Sequence, residues 1–239
     1  MRLATVSEDQ SICPSPGSNR AVNEAQRHTN RLIWLGLGFT VALLVLAFLL
    51  ATLKMGAAVG KPLPVYGQVA SFTLTNQDGQ PISLADLRGK VWVADIIFTR
   101  CPGPCLKMTR QMEELQAALP AKSGAKFVSL TTDPNFDTPA VLKTYAHRFS
   151  ADFRRWIFLT GTPKQIANLA IDSLKLTAIE KKPEDRESEA DLFVHSTIFV
   201  VIDKHAQLRG IFETTGDGID PVRAKRELLA AVKRLERES

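Results

Sequence analysis

The sequence predicts an α/β fold, a mixed sheet flanked by helices, preceded by an N-terminal hairpin and a single transmembrane helix. Three observations support this. Residues 32–53 are an uncharged apolar run, long enough as a helix to span the roughly 30 Å hydrocarbon core of a bilayer. After residue 69, short apolar runs alternate with segments of helical spacing, which is typical of strands covered by helices. Residues 91–98 are almost continuously apolar, as expected for a central strand that is buried on both faces.

The apolar run divides the chain into four parts. We expect a polar tail at 1–31, the transmembrane helix at 32–53, a Gly- and Pro-containing linker at 54–68 and the folded domain at 69–239. A cleaved signal peptide is the main alternative, but its apolar core is normally shorter and its polar leader is shorter too. A buried core helix would offer water a polar face, which this run does not have. We therefore expect a retained membrane anchor.

The charges that flank the helix predict its orientation. Slightly more basic residues precede the run than follow it: Arg20, Arg27 and Arg31 before, Lys54 and Lys61 after. Positively charged flanks stay on the cytoplasmic side. This predicts a single-pass protein of a bacterial inner membrane, with a cytoplasmic N-terminus and a periplasmic domain.

Each element of the domain has a local signal. Alternating apolar residues on either side of turn-forming residues 76–79 predict the hairpin, and Thr138 followed by Pro139 predicts a helix start with proline in its first turn. The charged run at 180–191 predicts an exposed loop. Apolar periodicity gives the remaining elements: helices at 108–119, 162–174 and 220–237, strands at 127–130 and 156–159, and a closing hairpin at 196–203 and 208–212.

Composition narrows the function. The formal charge is +5 and the pI is about 9.2, yet Lys and Arg are interspersed with Glu and Asp along the chain, so we expect no nucleic-acid binding. Three cysteines are too few for a disulfide scaffold. Cys13 lies in the polar tail and has no predicted role, whereas Cys101 and Cys105 are close together and directly follow the strand at 91–98.

This cysteine pair is the predicted working centre of a thioredoxin-like domain. In the first turn of a helix, Cys101 and Cys105 would project from the same side, so that one ion could bridge both sulfurs. The helix N-terminus favours thiolate over thiol, which predicts a lowered pKa and a better nucleophile and metal ligand. Thiolates select soft ions, with Cu(I) and Zn(II) as the candidates, and an imidazole ligand would extend the site to Cu(II).

His195 is the candidate imidazole, because it lies between the charged loop and the apolar strand at 196–202. A structural role is the alternative for a single histidine. His147 and His205 are predicted to face solvent, in a helix and in a tight turn. Met108 could offer a thioether, but its helical spacing favours a place in the core.

Three segments resemble the Sco/SenC family, membrane-anchored thioredoxin-fold proteins that assemble the dinuclear copper centre of cytochrome c oxidase. The first is the cysteine segment VWVADIIFTRCPGPCLKMT, the second is SLTTDPNFDTPAVLKTYAHRF, and the third is the histidine strand VHSTIFVVID. A CxxxC spacing alone has little specificity. Combined with the DPxxDTP segment and the HS strand, in this order, it is specific, and the resemblance extends over residues 65–235.

The resemblance implies that Cys101, Cys105 and His195 ligate copper. It also implies a chaperone rather than a conventional enzyme, with the copper-bearing subunit of cytochrome c oxidase or its assembly factors as partners. Two positions depart from the family pattern. Val194 stands where an Asp is common and Leu106 where a Pro is common. The first change removes a carboxylate that could orient the imidazole, and Asp191 is a possible substitute.

Two other functions are compatible with the cysteine pair. A membrane-tethered thiol-disulfide oxidoreductase would use Cys101 and Cys105 as redox-active catalytic residues that reduce a client protein. Such reductants usually carry CxxC, and the longer spacing here favours a metal. A peroxide reductase of the peroxiredoxin type shares the fold, but it requires neither the CxxxC spacing nor a distant HS strand.

Overall fold

A computed structural model describes most of the chain, which divides into two compact units, Met1–Pro62 and Leu63–Ser239. In the first unit, helix α1 covers Ser18–Ala57, and its stretch Asn30–Leu50 is long and apolar enough to cross a membrane. The helix therefore extends beyond the predicted 32–53 at both ends. The described residues are 18–57, 62–101, 103–176, 178–180, 182, 184, 193–195, 197–215 and 218–238.

The second unit contains a mixed sheet, and the described residues supply eight strands to it. The strands are β1 Gly67–Gln68, β2 Thr73–Asn76, β3 Pro81–Ser83, β4 Trp92–Ile97, β5 Lys126–Thr131, β6 Trp156–Thr160, β9 Ile198–Ile202 and β10 Gln207–Glu213. Their order is β1-β10-β9-β4-β5-β6-β2-β3. The three strands β4, β5 and β6 run parallel, and every other pairing is antiparallel. The predicted α/β class and both predicted hairpins are confirmed.

Within the described residues of this unit, five helices accompany the sheet. Three of them begin with a capping side chain followed by proline, at Thr138, Thr162 and Asp220, so the start that the sequence predicts at Thr138 is confirmed. The helix predicted at 162–174 begins as an α-helix and ends as a π-helical turn, Asn168–Ser173. The helices are α2 Leu84–Leu87, α3 Pro104–Ala118, α4 Pro139–His147, α5 Pro163–Ala167 and α6 Pro221–Arg237.

The central strand β4 is buried on both faces, as its apolar run predicts. Alternate residues face two separate hydrophobic clusters. The face with Val93 and Ile97 packs against α3, α4 and α6, and the face with Trp92 and Ile96 packs against α2 and α5. Helices therefore cover both sides of the strand that leads to Cys101.

Two further strands form a small ribbon that the sequence did not predict. Strands β7 (Ala178–Glu180) and β8 (Phe193–His195) pair antiparallel, with Ala178 opposite His195. Most of the predicted loop at 180–191, with Asp191, lies outside the described residues. The ribbon ends three residues before β9 begins at Ile198.

Candidate metal centre

The cysteine pair lies where the central strand leads into helix α3. Strand β4 ends at Ile97, and the Cys101 backbone N–H donates to the Phe98 carbonyl at 3.2 Å. Helix α3 begins at Pro104 after the N-cap Gly103, which places Cys105 in its first turn. Proline suits this position because the first backbone N–H groups of a helix have no partner within it.

The two thiols are almost completely shielded from solvent. Cys101 is 6% exposed and Cys105 is 0% exposed. The backbone N–H of Phe98 donates to Cys105 Sγ at 3.4 Å, and the Cys101 and Cys105 side chains are hydrogen-bonded to each other. No disulfide joins the two sulfurs. The pair is thus arranged as two thiols in contact, with Cys101 the more accessible.

The pKa of Cys105 differs from the sequence-based prediction. The hydrogen bond with the Cys101 side chain raises this pKa most, and burial, the Cys101 charge and the Asp95 carboxylate raise it further. The Phe98 N–H lowers it, but this contribution is outweighed. The prediction that the helix N-terminus would lower the pKa is therefore wrong for Cys105, because two thiolates in contact repel each other and burial disfavours charge.

A carboxylate from the next loop holds the chain just before Cys101. Asp137 is 0% exposed and accepts hydrogen bonds from the Thr99 backbone N–H at 3.1 Å, from the Thr99 hydroxyl, and from the Thr131 hydroxyl at 2.5 Å. Burial raises the pKa of Asp137, and these hydrogen bonds oppose the rise. We call Asp137, Thr99 and Thr131 the Asp137 clamp. It joins the ends of β4 and β5 to the start of α4.

A second, more exposed contact reinforces this junction. The Arg100 guanidinium pairs with Asp133 at 2.5 Å and lies 4.1 Å from the centre of the Phe136 ring. This segment is part of the family resemblance, but the sequence alone indicates no role for its residues. Its two aspartates, four positions apart on either side of a turn, were the available signal.

A buried polar cluster lies beneath the cysteine pair. The Thr109 hydroxyl donates to the Cys105 carbonyl at 2.8 Å and is 2.8 Å from the Tyr145 hydroxyl. Asp95, which is 0% exposed, lies on the same face of β4 as Val93 and Ile97 by strand alternation. Burial raises the pKa of Tyr145, and the Asp95 charge adds to the effect. Helix α4 is thereby linked to the turn that carries Cys105.

His195 lies at the C-terminal end of β8, opposite Ala178. The strand that follows, β9, is the antiparallel neighbour of β4, with Ala94 opposite Val200. Strand β9 therefore begins at the edge of the sheet where β4 ends. His195 precedes β9 by three positions, and the cysteine pair follows β4. The segment that enters β9 and the segment that leaves β4 therefore meet this same edge.

The remaining candidate residues occupy several environments. Met108 is fully buried in the core, and His147 and His205 are exposed, as the sequence predicts. Leu106 packs partly buried against the core, and Val194 lies in β8 opposite Ile179. Cys13 lies outside the described residues. Within the described part of the chain, no group of three His, Cys, Asp or Glu side chains gathers as a metal site.

Comparison with known proteins assigns the family. The SCO1/SenC family model matches residues 64–230. The chain is 39% identical over 141 residues to the SCO1 protein homolog of Bacillus subtilis, a match that covers 58% of this chain and 70% of that protein. The chain therefore belongs to the SCO1/SenC family.

Solved structures share the fold. BsSco, reported as having a disulfide switch and as a member of the Sco family of cytochrome c oxidase assembly proteins, is 30% identical, with a TM-score of 0.61 over 75% of this chain and 100% of its own. Bradyrhizobium japonicum ScoI, solved with copper bound, is 23% identical, with a TM-score of 0.59 over 71% of this chain and 99% of its own. These likenesses confirm the thioredoxin-like α/β fold of the family.

Proposed function

We propose that this protein is a membrane-anchored copper chaperone in the assembly of cytochrome c oxidase, and that Cys101, Cys105 and His195 hold the copper. The observation that carries the proposal is the pairing of β4 with β9, since it directs the histidine segment and the cysteine pair to one edge of the sheet. Family membership supplies the second support.

The donor set suits copper as a cargo. Two thiolates favour the soft Cu(I) ion, and an imidazole accommodates Cu(II) as well. Three protein ligands leave a coordination position open, through which a ligand of the receiving protein can take over the ion. Because the Cys105 pKa is raised, binding must displace protons from the thiol pair. The copper-bearing subunit of the oxidase, or another assembly factor, is the proposed recipient.

Copper uptake by the second unit tests this proposal. Residues 62–239 contain both hydrophobic clusters, so this fragment should fold on its own. The solved BsSco chain aligns over its full length with 75% of this chain, so it was solved without a counterpart of the remaining quarter. We expect stoichiometric binding of Cu(I) and Cu(II) by this fragment. His195→Ala should lose the Cu(II) site, and His205→Ala, a matched exposed histidine, should keep it. The proposal fails if the wild-type fragment takes up no stoichiometric copper.

Anchoring through α1 belongs to the same proposal. The apolar stretch Asn30–Leu50 would span the bilayer, with the N-terminus cytoplasmic and the domain periplasmic. Alkaline phosphatase fused to the C-terminus should be active, since this enzyme folds only after export, and the full chain should remain in membranes washed with alkaline carbonate. Release by the wash, or an inactive fusion, would contradict this topology.

A second candidate function is reduction of a client disulfide. The hydrogen bond between the two thiols favours it, because each sulfur is already placed to attack the other. The partly accessible Cys101 thiolate would attack one client sulfur, forming a mixed disulfide and releasing the other client sulfur as a thiolate. Cys105 would then attack Cys101, releasing the reduced client and leaving a Cys101–Cys105 disulfide. His195→Ala separates the functions, since it should abolish Cu(II) binding and spare disulfide reduction.

A further inference from the structure

The fold gathers cationic side chains that are far apart in the sequence. A groove of about 580 Å³ lies at one end of the sheet, and cations from four segments of the chain line it. We call these five residues the basic end: Lys90, Lys122, Lys204, Lys233 and Arg237. Along the chain these residues are interspersed with acidic ones, so the sequence does not reveal the cluster.

The basic end lies opposite the cysteine pair. Lys90 and Val91 line the groove and precede β4, whereas Cys101 follows the other end of that strand. Six residues of strand separate the two ends, which corresponds to roughly 20 Å. Antiparallel pairing of β9 with β4 brings the turn with Lys204 to the same end as Lys90.

The nearby acidic side chains are already engaged. Glu236 accepts hydrogen bonds from the Ser123 hydroxyl at 2.6 Å and the Ala125 N–H at 3.2 Å. Glu238 pairs with Arg209 at 3.2 Å and with Arg234 at 3.3 Å. Glu236 also lines the groove, so five cations and one hydrogen-bonded carboxylate face it, and cations are in excess there.

Three of the cations are exposed, namely Lys122, Lys233 and Arg237. Within the described part of the chain, none of the three has a hydrogen-bond or ion-pair partner for its side chain. Mutual repulsion between cations is evident beside the groove, where burial lowers the pKa of Lys126 and the charges of Lys90 and Arg155 lower it further. An anionic partner would relieve this repulsion.

The same end receives the chain from the membrane-spanning candidate. Arg209 holds the first residues of the domain, donating to the Leu63 carbonyl at 2.8 Å, and also pairs with Asp203 and Glu238. Lys204, which lines the groove, donates to the Glu238 carbonyl at 2.6 Å. The connection from Leu50 to Leu63 spans at most about 47 Å even when fully extended.

We propose that the basic end docks on the anionic lipid headgroups of the membrane in which the chain is anchored. This inference rests on the proposed function for the anchor, because the anchor is what keeps the surface within reach of lipid. Docking through this end would direct the cysteine pair away from the bilayer, toward a partner that extends from the membrane. Lipid is favoured as the partner because the tether enters the domain beside Arg209, which pairs with Glu238, and Lys204 of the basic end donates to the Glu238 carbonyl.

Vesicle binding by residues 62–239 tests the proposal without the anchor. The wild-type fragment should co-sediment with vesicles of equal parts phosphatidylcholine and phosphatidylglycerol, should not co-sediment with phosphatidylcholine alone, and should be released by salt. The variant K122Q/K233Q/R237Q should bind roughly a hundredfold more weakly, at about fivefold for each cation removed. The control R110Q/K143Q/K164Q removes the same number of exposed cations outside the groove and should bind within about twofold of wild type.

Three outcomes would overturn the inference. The first is equal vesicle binding by the two triple variants, and the second is no binding by the wild-type fragment. The third is tighter binding to polyglutamate than to anionic vesicles at equal charge, which would assign the surface to an acidic protein. Copper uptake measured on the same variants should equal that of wild type, so a failure of lipid docking is distinguishable from a failure of the copper proposal.

Discussion

Removing the Asp137 carboxylate should destabilise the domain more than any neighbouring charge change. In Asp137→Ala, three donors lose their acceptor: the Thr99 N–H, the Thr99 hydroxyl and the Thr131 hydroxyl. A hydrogen bond to a charged group contributes about 1.5–3 kcal/mol, and hydroxyls can partly reorient to other acceptors. Relief from burying a charge offsets part of the loss. We expect the free energy of unfolding to fall by about 3–5 kcal/mol.

Urea denaturation of residues 62–239, followed by Trp fluorescence, measures this change. Asp133→Ala is the matched control, because its carboxylate pairs with Arg100, whose side chain is 43% exposed, and should contribute only about 1 kcal/mol. The Asp137 clamp also fixes Thr99, two residues before Cys101, so Asp137→Ala should accelerate copper release as well. Equal destabilisation by the two variants would refute the clamp.

The pH dependence of the same residue has a defined sign. Burial raises the pKa of Asp137 in the folded protein, so the protonated form is favoured by folding. The quantity to compare is the free energy of unfolding of the wild-type fragment minus that of Asp137→Asn. This difference should be largest below the unfolded pKa of about 3.9 and should decrease as pH rises through the raised folded pKa. A difference that grows with pH would contradict the direction of the shift.

Three further measurements examine the site. Copper affinity should rise with pH, by about tenfold per pH unit for each proton displaced, because the raised pKa keeps Cys105 protonated; a flat profile in competition titrations would contradict this. Iodoacetamide should modify Cys101 before Cys105, which mass spectrometry of timed samples would detect, since Cys101 is 6% exposed and Cys105 is 0% exposed. Tyr145→Phe should lower the free energy of unfolding by about 1 kcal/mol through loss of the Thr109 contact, whereas Tyr66→Phe, at an exposed tyrosine, should not.

The sequence was sufficient for the elements whose signals are local. Strand β4 has an unbroken apolar run, and α4 has a Thr-Pro start, so both appear where they were predicted. The ribbon of β7 and β8 was missed because strands of three residues, one of them beside a charged run, carry no periodic pattern. The π-helical end of α5 was missed because hydrophobic spacing does not distinguish one helix type from another.

The position of the cysteine pair between the central strand and a helix was predictable from the sequence, but the electrostatics around the pair were not. The cysteine spacing indicates a helix start, which alone would lower a thiol pKa, but contact with Cys101 and complete burial reverse the direction at Cys105. The Asp137 clamp and the basic end depend on residues that only the fold brings together. Local sequence patterns predict helices and strands, whereas charge interactions depend on distances that only the tertiary structure sets.

X-ray absorption of the Cu(I)-loaded fragment tests the central claim most directly, because it counts the atoms bound to the metal. The proposal predicts two sulfur ligands and one imidazole nitrogen in the wild-type protein. Cys105→Ser should remove one sulfur, and His195→Ala should remove the nitrogen, while His205→Ala should leave the spectrum unchanged. A wild-type spectrum without the imidazole, or one that His195→Ala does not alter, would contradict the claim that this histidine completes the site.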